Sequence, residues 1–186
     1  MRLFIAVDVS ERVREALKPA LSALSRYKGV KAVEPENVHV TLQFLGEVPE
    51  SRVGVISDRL ERVAKNFEPF NVRLGKLGFF PNQQKLRVVW VGVEGVECEG
   101  LKPLADAVRG EMKKLGYRDD KDFVAHMTLA RVKKITPQEK RRLLEELESL
   151  EFEGEWTVKD FRLKQSRLTP KGPIYSDVSV HAFASG

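Results

Sequence analysis

Two of the three histidines in this 186-residue chain sit in one repeated pattern. NVHVTLQFLG (37–46) and AHMTLARV (125–132) each hold an HxTL tetrapeptide, so His39 is paired with Thr41 and His126 with Thr128, one pair in each half of the sequence. An imidazole titrates near pH 6.5, so one ring can accept a proton while another donates one. In-line displacement at phosphorus needs both at once, a base on the attacking oxygen and an acid on the leaving oxygen, on opposite sides. Threonine hydroxyls can donate to the non-bridging oxygens, whose charge grows in the transition state. The two tetrapeptides therefore point to phosphate-ester chemistry that calls for no metal and no cofactor. A zinc site is a poor fit, because Cys, Asp and Glu are missing at ligand spacing. A single His-x-Thr is ordinarily a half-exposed polar face, and it is the recurrence with its flanks that carries the reading.

The pattern must lie on strands for this to work. Alternation sends Val38, Val40, Leu42 and Phe44 to the core and Asn37, His39, Thr41 and Gln43 to the opposite face. In the second copy Ala125, Met127 and Leu129 point inward, while His126, Thr128 and Ala130 share the other face. Histidine and threonine then stand about 7 Å apart by strand rise. Arg131 falls opposite His126 unless a bulge intervenes.

Around these strands, LFIAVDV (3–9) reads as a buried strand, and Ser10 as the N-cap of a helix to about Arg26 with Pro19 breaking or kinking it. Val53, Ile56, Leu60, Val63 and Phe67 mark an amphipathic helix. FNVRLGKLGFF and LRVVWVGVE read as strands around the turn PNQQ. Leu101 to Leu115 is a helix closed by Gly116, and TPQE opens another as a capping box with proline at its first position. EWTVKDFRLKQSRL and PIYSDVSVHAF finish the chain as strands. Both halves thus read strand, helix, HxTL strand, helix, strand, a duplicated unit. The predicted architecture is α+β and bilobal over residues 1–186, with two pseudo-symmetric lobes, each an antiparallel sheet covered by helices, and an active-site cleft between them.

Bulk properties agree with a soluble globular chain. The net charge of +5 and pI near 9.3 favour an anionic partner such as RNA. The lone Cys98 excludes an internal disulfide and reads as a bystander in a loop. The opening apolar run is too short for a signal peptide or a membrane span, so a cytoplasmic location and no membrane partner are expected.

The two tetrapeptides, with RLFIAVDV near the start and SRLTPKGPIY near the end, resemble the two-histidine (2H) phosphoesterase superfamily. Within it the chain is similar to the RNA 2′,3′-cyclic phosphodiesterases, also called 2′-5′ RNA ligases, over about residues 2–175. The resemblance implies opening of RNA 2′,3′-cyclic phosphate ends to 2′-phosphates without metal, with His39 as proton donor, His126 as proton acceptor, and Thr41 and Thr128 holding the phosphate. It also implies ATP-independent, reversible 2′-5′ ligation when an RNA 5′-hydroxyl replaces water. Partners would be RNA with 2′,3′-cyclic phosphate or 2′-phosphate ends, tRNA fragments among them, and the protein would act as a monomer. One departure is Ala125, where the family commonly has proline before the second histidine; Asp122 also replaces a frequent proline. The alternatives are a non-catalytic RNA-end binder, and a phosphodiesterase for small cyclic nucleotides or 2′-5′ oligonucleotides.

Four further residues are candidate substrate contacts: Gln43 on the histidine face, Lys121 on a basic rim, Arg131 as a phosphate clamp, and Tyr175 as a base-stacking ring. Lys85, Arg87, Lys164 and Arg167 could extend the rim. His181, lacking a threonine partner, reads as structural.

Overall fold

The computed structural model describes residues 1–185, which form nine strands and four α-helices. In chain order these are β1 (Arg2–Asp8), α1 (Glu11–Ser25), β2 (Val30–Ala32), β3 (His39–Glu47), α2 (Glu50–Ala64), β4 (Phe70–Pro81), β5 (Leu86–Gly95), α3 (Lys102–Lys114), β6 (His126–Val132), α4 (Pro137–Ser149), β7 (Glu155–Val158), β8 (Asp160–Thr169) and β9 (Gly172–Ala182). The fold is α+β, as the sequence predicts. Two antiparallel sheets have the orders β3-β1-β8-β9 and β2-β6-β5-β4-β7, and each contains one HxTL strand.

The helices follow their apolar periodicity. α2 and α3 pack together, with α3 on β3 and α2 on β8 and β9, while α1 and α4 pack together and α1 lies on β2 and β6. Their inward faces, Val13, Leu17, Leu21 and Leu24 in α1 and Leu104, Val108 and Met112 in α3, are buried. The Ser10 side chain caps α1 by accepting from the Val13 amide, and Thr136 with Glu139 forms the expected capping box on α4.

Two expectations fail for physical reasons. Pro19 does not break α1, which runs on to Ser25. An interior proline costs about 3 kcal/mol, whereas burying each large apolar side chain returns about 1.5–3 kcal/mol, and α1 buries Leu17, Leu21 and Leu24 around Pro19. EWTVKDFRLKQSRL is two strands, not one: β7 closes the second sheet against β4, and after Lys159 alone the chain enters β8 in the middle of the first. β2, only three residues long, has no apolar run to announce it.

Each sheet draws on both halves of the chain. β1 and β3 accept β8 and β9 as partners, while β5 and β6 accept β2 and β4. The order strand–helix–HxTL strand–helix occurs twice; after the first, β4 crosses to the second sheet, and after the second, β7 stays there while β8 and β9 cross to the first. β3 is the outer strand of the first sheet, and it packs against β6 of the second.

Candidate active site

The HxTL segments have the same local geometry. In each, Nδ1–H of the histidine donates to the carbonyl two residues earlier: His39 to Asn37 O at 2.7 Å, and His126 to Val124 O at 2.6 Å. This bond fixes the ring and leaves Nε2 as the nitrogen free for proton transfer. His39 Nε2 lies 2.9 Å from Thr41 Oγ1, so the expected pairing of imidazole and hydroxyl is realised there.

Both strands are interrupted at the same place. Opposite β1, Gln43 pairs with Ile5 and Thr41 with Ala6, leaving Leu42 as an extra residue; opposite β5, Ala130 pairs with Val89 and Thr128 with Trp90, leaving Leu129 extra. A bulge reverses the alternation beyond it. Leu42 and Gln43 both turn inward, as do Leu129 and Ala130, and Phe44 and Arg131 emerge on the exposed side.

The bulges correct three expectations and settle the face of a fourth residue. Gln43 does not share the histidine face; it is 1% exposed and its Nε2 donates to Tyr117 O at 3.2 Å. Ala130 is buried, and Phe44, expected in the core, is 65% exposed. Arg131 stands on the face of His126 and Thr128, the outcome that a bulge permits.

Aromatic rings flank each imidazole. His39 lies 5.1 Å from Phe4 and edge-on at 5.4 Å from Tyr175, and Phe4 leads outward to Phe44 at 6.0 Å. His126 meets Phe80 and Trp90, each edge-on at 5.5 Å. Trp90 can lie across β4 because its cross-strand partner is Gly78, where a methyl group would overlap the indole. Tyr175 therefore lies beside His39, and Phe4, Phe44, Phe80 and Trp90, which strand periodicity alone did not single out, complete the rings around the two imidazoles. Burial raises the Tyr175 pKa, and the nearby charges of Arg131 and Arg2 oppose it.

Charge is concentrated beside His39. Lys164, whose side chain is 11% exposed, bridges Asp8 at 2.9 Å and Asp177 at 2.8 Å, and Arg162 contacts the same two aspartates. Asp8 is the cross-strand partner of His39. Burial lowers the His39 pKa below the ordinary imidazole value; the bond to the Asn37 carbonyl opposes this, Lys164 and His126 lower it further, and Asp8 raises it. His39 and His126 lie on β3 and β6, strands that pack against each other.

Lys121 is exposed in the loop before β6, where its backbone is tied to Arg109 and Asp119, and no hydrogen bond draws its side chain to either histidine. His181 is structural as expected, buried between Glu61 and Ser179 at 2.8 Å each. Among the described residues no group of three or more His, Cys, Asp or Glu side chains is placed to hold a metal ion, and no helix is long and apolar enough to cross a membrane.

Two antiparallel sheets, each offering a bulged His-x-Thr strand to a shared region, define the two-histidine phosphoesterase class. Within that class, the 2′-5′ RNA ligase superfamily matches residues 9–168, and the chain belongs to it. An Archaeoglobus fulgidus protein named RNA 2′,3′-cyclic phosphodiesterase is 52% identical over 180 residues, covering 97% of this chain and 99% of that one. A Methanothermobacter thermautotrophicus protein of the same name is 38% identical, covering 97% of each chain. The crystal structure of a Thermus thermophilus protein superimposes with a TM-score of 0.83 at 35% identity, covering 98% of each chain.

Proposed function

We propose that the protein opens RNA 2′,3′-cyclic phosphate ends to 2′-phosphomonoesters, using its paired imidazoles and no metal. The observation that carries this reading is the pair of identically bulged His-x-Thr strands, β3 and β6, with both Nδ1 atoms committed to backbone carbonyls and both Nε2 atoms left for chemistry. The names of the relatives supply the substrate class.

In the reaction His126 Nε2 takes a proton from water as the water oxygen bonds to phosphorus. The bond from phosphorus to O3′ breaks, and His39 Nε2 delivers its proton to O3′, leaving the phosphate on O2′. The resemblance assigns donor and acceptor, while the environment of His39 suits the donor role in one respect. A lowered pKa makes it a stronger acid toward the departing alkoxide, and the phosphate anion, once bound, offsets the burial that disfavours its charged form. Thr41 and Thr128 donate to the non-bridging oxygens. When an RNA 5′-hydroxyl takes the place of water at His126, the same displacement forms a 2′-5′ linkage. The cyclic ester supplies the driving force, so ATP is not required.

The test is incubation with RNA ending in a 2′,3′-cyclic phosphate, in the presence of EDTA, with end-group analysis. A 2′-phosphate product is expected, and His39→Ala or His126→Ala should each lower kcat by about 10²- to 10⁴-fold. A 3′-phosphate product, no product, or full turnover by His126→Ala would refute the proposal. A cyclic mononucleotide run in parallel separates RNA from small nucleotides as the substrate class.

A further inference from the structure

A groove of about 450 Å³ opens where the β4–β5 turn, the link from β6 to α4 and the first turn of α4 meet. Its lining includes Lys85, Arg87, Lys133, Lys134 and Lys140 and contains no carboxylate. Among the described residues none of these five cations takes part in a salt bridge. By contrast Arg162 and Lys164, beside His39, share Asp8 and Asp177. The acid beside the groove is Glu139, whose side chain is engaged by the Thr136 amide at 3.0 Å in the capping box. That bond to Thr136, helped by Arg142 and Lys134, holds the carboxylate below its usual range.

Backbone contacts hold the cations in place. The amides of Lys133 and Lys134 both donate to Gly29 O, at 2.8 and 3.2 Å, and a side chain at Gly29 would collide with the Lys134 backbone. Lys140 reaches across the groove to donate to Gln84 O at 3.2 Å, which leaves its other ammonium protons for a ligand. A cluster of like charges without direct ion pairs is suited to an external polyanion.

The groove continues the candidate active site. β6 leads from His126 to its end at Val132, and Lys133 follows, about 23 Å from His126 by strand rise. Arg131 stands between, exposed on the histidine face, cross-strand from Val88 and next to Arg87 in sequence on that partner. A nucleic acid strand carries a phosphate about every 3.4 Å along a stacked helix, so this distance spans about seven phosphates, and fewer along an extended chain.

We propose that this groove binds the phosphodiester backbone of the RNA whose cyclic-phosphate end lies between His39 and His126. The proposal rests on the RNA-end reading above and extends it: the substrate is an oligonucleotide held at two points. No aromatic side chain lines the groove, so it grips phosphates without reading sequence.

The test combines Lys85→Gln, Lys133→Gln and Lys134→Gln, all at exposed positions, and measures kcat/KM on a 2′,3′-cyclic mononucleotide and on 3-, 6- and 12-residue RNAs with the same end. For the wild type, kcat/KM should rise with length. The triple variant should lose about 10-fold or more of that gain at low salt, with mononucleotide turnover unchanged. Its log–log salt slope on the 12-mer should be shallower by about 2, three charges at about 0.7 each. An unchanged length dependence and salt slope in the variant, or no length dependence in the wild type, would overturn the proposal. Should neither the mononucleotide nor any of the RNAs turn over, the catalytic reading fails on its own. Fluorescence anisotropy of a 12-mer ending in a 2′-phosphate then reads the groove separately, where equal affinity for both proteins counts against it.

Discussion

His39 concentrates the consequences of single side chains. A reaction that needs one neutral and one protonated imidazole gives a bell-shaped pH profile, whose acid limb follows the lower of the two pKa values. Because burial and then Lys164 depress His39, the acid limb of kcat/KM should lie below about 6.5, the ordinary imidazole value. Lys164→Gln removes a positive charge and leaves Asp8 and Asp177 with Arg162 alone, so the limb should move to higher pH. A profile that stays in place would show that His39 does not set it. Stability has a matching sign. A histidine whose folded pKa lies below its unfolded one binds protons more readily when unfolded, so its contribution is fully present above the unfolded pKa and is lost as pH falls through the folded value. Gln43 illustrates a side chain misread from its neighbours. It follows Thr41 at strand spacing, yet it is buried and bonds to Tyr117, because the residue between them is extra in the ladder.

At the scale of elements, the site depends on how strands depart from ideal alternation. Gly78 gives Trp90 the space to lie against His126. Gly78→Ala should displace that ring, costing about 1–3 kcal/mol from overpacking, and it should lower kcat by about 10-fold or more while the far-ultraviolet spectrum persists. Wild-type kcat in this variant would mean that Trp90 does not position the imidazole. The HxTL strands themselves were legible, because apolar residues at Val38, Val40 and Leu42 and at Met127 and Leu129 keep one parity. The bulges left a fainter trace: the apolar positions change parity afterwards, to Leu45 in one copy and to Ala130 and Val132 in the other. Alternation carried past that change put Phe44 in the core and Gln43 at the site. The surrounding rings, Phe4, Phe80 and Trp90, come from strands distant in sequence, and no local pattern could bring them to the histidines. Nor could the run EWTVKDFRLKQSRL reveal that its halves belong to different sheets, since both pieces have strand composition.

The whole molecule is two sheets interleaved by the exchange of strands. Residues 1–97 supply β1 and β3 to one sheet and β2, β4 and β5 to the other, and the remainder of the chain supplies β6 to β9. Cutting the exposed loop before Cys98 should therefore give two fragments that do not fold alone. Each would leave ladders open on both sheets, and burial of the shared core would be lost. Mixing the fragments should restore a cooperative thermal transition by circular dichroism; such a transition in 1–97 by itself would contradict the interleaving. The recurring order of elements was readable, but the exchange of strands was not, because sequence order does not say which neighbour a strand will choose. One result of the exchange concerns synthesis. Since β1 finds its second neighbour only in β8, near the other end of the chain, a polypeptide still emerging from the ribosome holds that edge bare until translation is nearly done.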